Sequence, residues 1–169
     1  MRLFFALWPD ERVRSQLADW RKALRTVCGG RPIPDANLHL TLAFLGSVDD
    51  ARLPEVERAA ASVTPRAFTL ALDQPGWWKK NRIAWAGASQ TPAELDALVG
   101  ELRDSLAQAS IDFDTKGFIS HVTLLRDAHE PKAMPVLESI EWKIGSFALV
   151  RSLTHERGSE YRVLRGWKN

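Results

Sequence analysis

One tetrapeptide occurs twice in the chain, as HLTL at His39–Leu42 and as HVTL at His121–Leu124, 82 residues apart. In a β-strand alternate side chains share a face, so His39 and Thr41 point one way while Leu40 and Leu42 point into a core. His121 and Thr123 stand in the same relation to Val122 and Leu124. Each copy lies near the middle of its half of the chain. Any fold built on them carries two imidazole–hydroxyl pairs on an otherwise apolar scaffold. With four His and eight Thr in 169 residues, two of the histidines having Thr two positions later by chance comes to about one in a hundred. His129 and His155 lack the pattern.

The length of 169 residues suits one domain, or two small lobes sharing a core, and composition draws no boundary, so residues 1–169 are read as a single two-lobed domain. Hydrophobic residues make up 45% and charged ones 26%, the balance of a globular chain and not a disordered one. The apolar run Leu3–Trp8 is too short for a membrane span or a secretory signal. Cys28 is the single cysteine, which leaves no disulfide and no multi-cysteine metal site. A cytoplasmic monomer without membrane or obligate protein partner is expected. The net charge of +2 does not resemble that of a protein binding long nucleic acid through bulk charge alone. Basic residues do gather between Trp142 and Asn169, where a positive wall for a small anion is one reading and a solvated strand the other.

Strands and helices are mixed without strict alternation. Leu3–Trp8 reads as a buried strand. Val13, Leu17, Trp20, Leu24 and Val27 have helical spacing, with Gly29 and Gly30 ending the helix. Leu38–Leu45 reads as a second strand, and Asp50 as the cap of a short helix. Strands follow around Ala67–Leu72 and Arg82–Ala86, with DQPGWWKKN between them read as a loop. Thr91–Glu94 has the form of a capping box before a helix carrying Leu95, Leu98, Val99, Leu102 and Leu106. Ile119–Leu125, Ile144–Leu153 and Tyr161–Leu164 complete the strands. The pattern predicts an α+β fold, with helices packed on largely antiparallel sheet.

Two histidines facing one cleft supply a general acid and a general base without a metal, which suits in-line displacement at phosphorus. Threonine hydroxyls can donate to the non-bridging oxygens. Neither motif has an acidic residue spaced to form a metal site. A structural duplication without chemistry is the alternative. The near symmetry of the motifs leaves acid and base unassigned.

With GRPIPDANLHLTLAFLG and SHVTLLRDA around the motifs, the chain resembles the two-histidine phosphoesterase superfamily, closest to bacterial RNA 2′,3′-cyclic phosphodiesterases, also called 2′-5′ RNA ligase-like proteins. The likeness runs over essentially the whole chain. It implies a bilobal α+β fold, with two mainly antiparallel sheets related by a pseudo-two-fold, helices outside and a central cleft. It also implies hydrolysis of an RNA or nucleotide 2′,3′-cyclic phosphate to a 2′-phosphomonoester, with reverse 2′-5′ ligation in some members and no cofactor. On this likeness His39 is the proton donor to the 3′ oxygen, His121 activates water, and Thr41 and Thr123 contact phosphate.

Arg126 and Phe44 each lie five positions after a motif histidine. Strict alternation places them on the opposite face, whereas a bend at the strand end would turn Arg126 onto phosphate and Phe44 onto a base. The plainer readings are an edge ion pair with Asp127 and a core phenylalanine. Trp77 and Trp78 with Lys79 and Lys80 suit a single-stranded RNA end, or simple packing. Cys28 reads as a packing residue. The competing function is a catalytically weak module that binds RNA ends or nucleotides in the same cleft.

Overall fold

The computed structural model spans Met1–Asn169 and is α+β, with three helices and two antiparallel sheets, one of eight strands and one of two. The large sheet contains β1 (Arg2–Leu7), β2 (Arg31–Pro32), β3 (Leu40–Ser47), β5 (Gln74–Trp78), β6 (Ile83–Gly87), β7 (His121–Arg126), β9 (Ser146–His155) and β10 (Gly158–Lys168). β4 (Phe68–Leu72) and β8 (Ile140–Ile144) pair separately. The helices are α1 (Glu11–Cys28), α2 (Leu53–Ala61) and α3 (Ala93–Gln108). None of them is long and apolar enough to cross a membrane.

Strand order divides the large sheet into two halves. One runs β10-β9-β1-β3 and the other β7-β6-β5, with β2 on the free side of β7. The halves join where β3 meets β7, at the pair Leu40–Val122. Each half therefore contributes one HxT strand, and both strands stand at the seam.

The helices cross over to cover the sheet. α1 follows β1 in sequence yet packs on β6, β7 and β8, while α3 follows β6 and packs on β3. Their stripes, Val13–Leu17–Trp20–Leu24–Cys28 and Leu95–Leu98–Val99–Leu102–Leu106, are fully buried. They meet the inward aliphatic face of the strands in one core that contains Leu40, Leu42, Val122 and Leu124. Burial of this apolar face stabilises the sheet and leaves its other face to build the cleft. A smaller cluster of Phe4, Ala6, Ala148 and Val150 lies on the cleft side of the first half-sheet.

Local chemistry sets the element ends. Asp10 caps α1 by accepting from Val13 N at 2.8 Å, and Gly29 closes it with a φ of 59°, a conformation glycine adopts without strain. Gly30, with a φ of 85°, lies so close to the end of β7 that a Cβ there would sit 2.5 Å from the Arg126 carbonyl oxygen. That approach lets Arg31 and Pro32 pair with Arg126 and Leu125.

Several sequence expectations are corrected. Asp49, not Asp50, caps the turn before α2, by accepting from Ala51 N, and Asp50 instead faces the Met1 amino group. The Thr91–Glu94 capping box does not form, because α3 begins at Ala93 with no side-chain cap. The DQPGWWKKN segment contains β5 and is not simply a loop. β5 is the outermost strand of the sheet, where a proline such as Pro75 is tolerated because one side of the strand needs no partner. Ile144 belongs to β8, separated from β9 by Gly145.

Candidate active site

The outer face of the seam forms a cleft of about 560 Å³ whose lining includes His39, Thr41, His121 and Thr123. Continuing the antiparallel register one residue either side of Leu40–Val122 sets His39 opposite Thr123 and Thr41 opposite His121. The four side chains thus alternate about a local two-fold.

Each imidazole is held in the same way. His39 Nδ1 lies 2.7 Å from the Asn37 carbonyl oxygen, and His121 Nδ1 lies 2.8 Å from that of Ile119, two residues upstream in both cases. A carbonyl only accepts, so Nδ1 carries the proton in both rings and Nε2 carries the lone pair. The environments then diverge. His39 Nε2 accepts from the Thr41 hydroxyl at 3.1 Å, whereas His121 Nε2 makes no hydrogen bond within the protein.

Aromatic rings frame both histidines. Trp8 stacks on His39 with centroids 5.6 Å apart, Phe4 lies at 4.8 Å, and Tyr161 meets it edge-on at 5.1 Å. Trp78 meets His121 edge-on at 4.6 Å and is itself 5.0 Å from Trp85. Such surroundings desolvate an imidazolium. Burial pushes the His39 pKa down to about 4, reinforced by the positive potential of His121 and Arg126 and opposed by the Asn37 hydrogen bond. Burial also lowers His121, with the Ile119 hydrogen bond acting against it. Both rings are therefore neutral near pH 7 in the free protein.

Arg126 and Phe44 line the cleft, and strand irregularities explain why simple alternation misses them. In β3 the register against β1 slips between Thr41 and Ala43, so Leu42 and Ala43 are both buried. In β7 the register against β6 slips between Thr123 and Leu125, and Leu124 and Leu125 are both buried. One extra residue in each strand reverses the alternation. Phe44 thereby joins the face of Thr41, and Arg126 joins the face of Thr123. The two are equivalent under the local two-fold. Arg126 makes no ion pair with Asp127, which binds Arg31 Nε at 2.7 Å instead.

Other groups were not evident in the sequence. Arg2, Arg31 and Arg157 join Arg126 around the cleft, and no carboxylate lines it. The Arg2 guanidinium lies 5.1 Å from the centre of the Phe44 ring. Only the alternation of Arg2, Phe4 and Trp8 against Leu3, Phe5 and Leu7 hinted at a second working face on β1. Of the basic residues from Trp142 onward, Arg157 alone reaches the cleft, while Arg162 and Arg165 pair with Glu160 and Glu57. Trp77 is a packing residue whose Nε1 donates to the Ala128 carbonyl at 3.1 Å; Trp78 turns to His121. Asn37 lies against the tip of the β9–β10 hairpin, donating from Nδ2 to the Ser159 carbonyl at 2.7 Å.

Paired imidazoles, hydroxyls and a cationic rim suit an anionic ester, and comparison with known proteins agrees. Residues 7–85 match the family model described as LigT-like phosphoesterase. An RNA 2′,3′-cyclic phosphodiesterase of Escherichia coli (strain K12) is 34% identical over 168 residues, covering 98% of this chain and 95% of that protein. One from Thermus thermophilus is also 34% identical, covering 97% of this chain and 88% of that protein. The solved structure of E. coli LigT in apo form superposes with a TM-score of 0.86 at 34% identity, covering 99% of this chain and 96% of that one. LigT has also been solved in complex with 3′-AMP. The protein is a phosphoesterase of the two-histidine class. It belongs to the LigT-like family, alongside the RNA 2′,3′-cyclic phosphodiesterases just described.

Proposed function

We propose that the protein opens the 2′,3′-cyclic phosphate of an RNA end or nucleotide to a 2′-phosphomonoester, without a metal, using His39 as acid and His121 as base. The observation that carries this reading is the matched clamp on both rings. Each Nδ1–H is committed to a backbone carbonyl, which leaves two Nε2 atoms for proton transfer in one cleft. Because the two rings stand on opposite sides of the seam, residues 1–169 act as one two-lobed unit.

His121 Nε2 takes a proton from water as the water oxygen bonds to phosphorus. The bond from phosphorus to the 3′ oxygen breaks, and that oxygen takes the proton from His39 Nε2. Thr41, Thr123 and Arg126 hold the non-bridging oxygens, and Phe44 lies against the base. One proton enters at His121 and one leaves at His39, so the site resets by a net transfer between them. One asymmetry supports this division: His121 Nε2 has no internal hydrogen bond to break before it accepts. His39, pushed down to about 4 in the free protein, acts as acid only once the bound substrate has charged it.

The anion supplies the charge that burial withholds. A bound phosphodiester offsets the Arg126 potential and favours the imidazolium at His39. A 5′-hydroxyl replacing water would give a 2′–5′ linkage through the same transfers, the ligase direction. The test is incubation of the purified protein, in EDTA, with an oligoribonucleotide ending in a 2′,3′-cyclic phosphate. A 2′-phosphate product supports the reading. A 3′-phosphate reverses the leaving oxygen, and turnover that depends on added divalent metal overturns the scheme.

A further inference from the structure

A second groove, of about 580 Å³, runs along the last turns of α1 and touches the cleft at one residue. Its wall includes Asp19, Arg21, Lys22, Arg25, Thr26 and Pro32, and Pro32 also lines the cleft. The two hollows thus meet at β2, whose other residue, Arg31, lines the cleft.

The charges of this groove are unevenly committed. Arg21 is tied to Asp35 at 2.6 Å and to the Ile33 carbonyl, which fixes the loop between β2 and β3. Lys22 and Arg25 are exposed and take part in none of the chain's ion pairs. Asp19 is the one acidic residue of the wall, and no aromatic ring lines it.

We propose that this groove carries the RNA strand on the 5′ side of the cyclised end, with Lys22 and Arg25 binding its backbone phosphates. The proposal rests on the reading of the cleft as a site for such ends. A strand whose terminal phosphate is held between His39 and His121 has only its 5′ side to lead out. The step over Pro32 leads directly to two unpaired cations. Without aromatic faces the groove offers no stacking platform, so the contribution of Lys22 and Arg25 is electrostatic and made to the backbone. The substrate this favours is an oligoribonucleotide over a cyclic mononucleotide.

The test compares the parent protein with Lys22→Ala/Arg25→Ala, both exposed helix positions where alanine is well accommodated. Two stable probes are titrated: an octaribonucleotide ending in a 2′-phosphate, and a nucleoside 2′-monophosphate. The double variant is expected to bind the octamer about tenfold more weakly, with the mononucleotide unchanged. The slope of log Kd against log salt for the octamer should fall by about 1.4, for two phosphate contacts on a single strand. Equal octamer affinity in the two proteins overturns the proposal, and so does an equal loss for both probes. Hydrolysis of a 2′,3′-cyclic mononucleotide is measured in parallel. Absence of turnover in the parent protein both with it and with an octaribonucleotide ending in a 2′,3′-cyclic phosphate would overturn the enzymatic reading, while the titration of the 2′-phosphate octamer would still decide the groove.

Discussion

Leu40 pairs with Val122 at the seam of the sheet, and the local two-fold through that pair relates His39 to His121. An antiparallel contact places its axis between the paired residues, so every neighbour of one strand acquires a counterpart on the other. Thr41 answers to Thr123, and Phe44 to Arg126. Both aliphatic partners are fully buried, which makes the axis a rigid part of the core. The symmetry of the cleft is a consequence of how the core is closed.

The pH–rate profile should reflect the burial of both rings. In the free protein His39 is held at about 4 and His121 is lowered from 6.5. The limbs of the kcat/KM profile report free-enzyme groups, so its basic limb should fall below pH 6.5. The kcat profile reports the complex, where the bound anion favours the charged rings, so its limb should lie at higher pH. A kcat/KM limb above 7.5 would show that at least one ring is not held neutral.

His39 should also leave a mark on stability. Its folded pKa of about 4 lies below the ordinary 6.5, so between those values the unfolded chain binds more protons than the folded one. Stability from this source is present above pH 6.5 and is lost as pH falls towards 4. Replacing His39 by Gln removes the titration. The drop in Tm between pH 7 and pH 5 should therefore be smaller in His39→Gln than in the parent protein.

Trp85 lies over two glycines, and this platform supports Trp78 beneath His121. A Cβ on Gly76 would come within 2.0 Å of the Trp85 ring. Gly76→Ala should destabilise by about 1–3 kcal/mol as an overpacked site and lower kcat through displacement of Trp78. Gly100, inside α3, has open space within 4 Å of the position a Cβ would take and serves as the control. Gly100→Ala should stabilise by about 0.5–1 kcal/mol in a urea titration and leave kcat unchanged.

The residues at the two strand irregularities should separate by function. Arg126→Ala should raise KM about tenfold or more for every cyclic nucleotide, since a charged hydrogen bond contributes about 1.5–3 kcal/mol. Phe44→Ala should raise KM more for purine than for pyrimidine ends, because stacking depends on the base face. Equal losses across bases for Phe44→Ala would remove it from base contact.

The motif strands were legible in the sequence because period-two alternation is local. His39, Thr41, His121 and Thr123 needed nothing beyond it, and α1 followed from its apolar spacing and terminal glycines. Phe44 and Arg126 were harder, since one extra residue in each strand shifts the face. The adjacent apolar pairs Leu42–Ala43 and Leu124–Leu125 are the sequence trace of that shift. Arg2, Arg157 and Tyr161 reach the cleft from β1 and from the β9–β10 hairpin, and their positions depend on strand order. β5 was obscured because Pro75 and Gly76 signal a turn everywhere except at a sheet edge.

The division of labour between the rings is tested most directly by changing the leaving group. A 2′,3′-cyclic substrate with sulfur in place of the 3′ oxygen departs as a thiolate and needs no proton from an acid. His39→Ala should lose at least about a hundredfold in kcat with the oxygen substrate and recover most of that loss with the sulfur one. His121→Ala should remain impaired with both. Recovery by His121→Ala, with His39→Ala impaired on both substrates, would contradict the assignment and exchange the two roles.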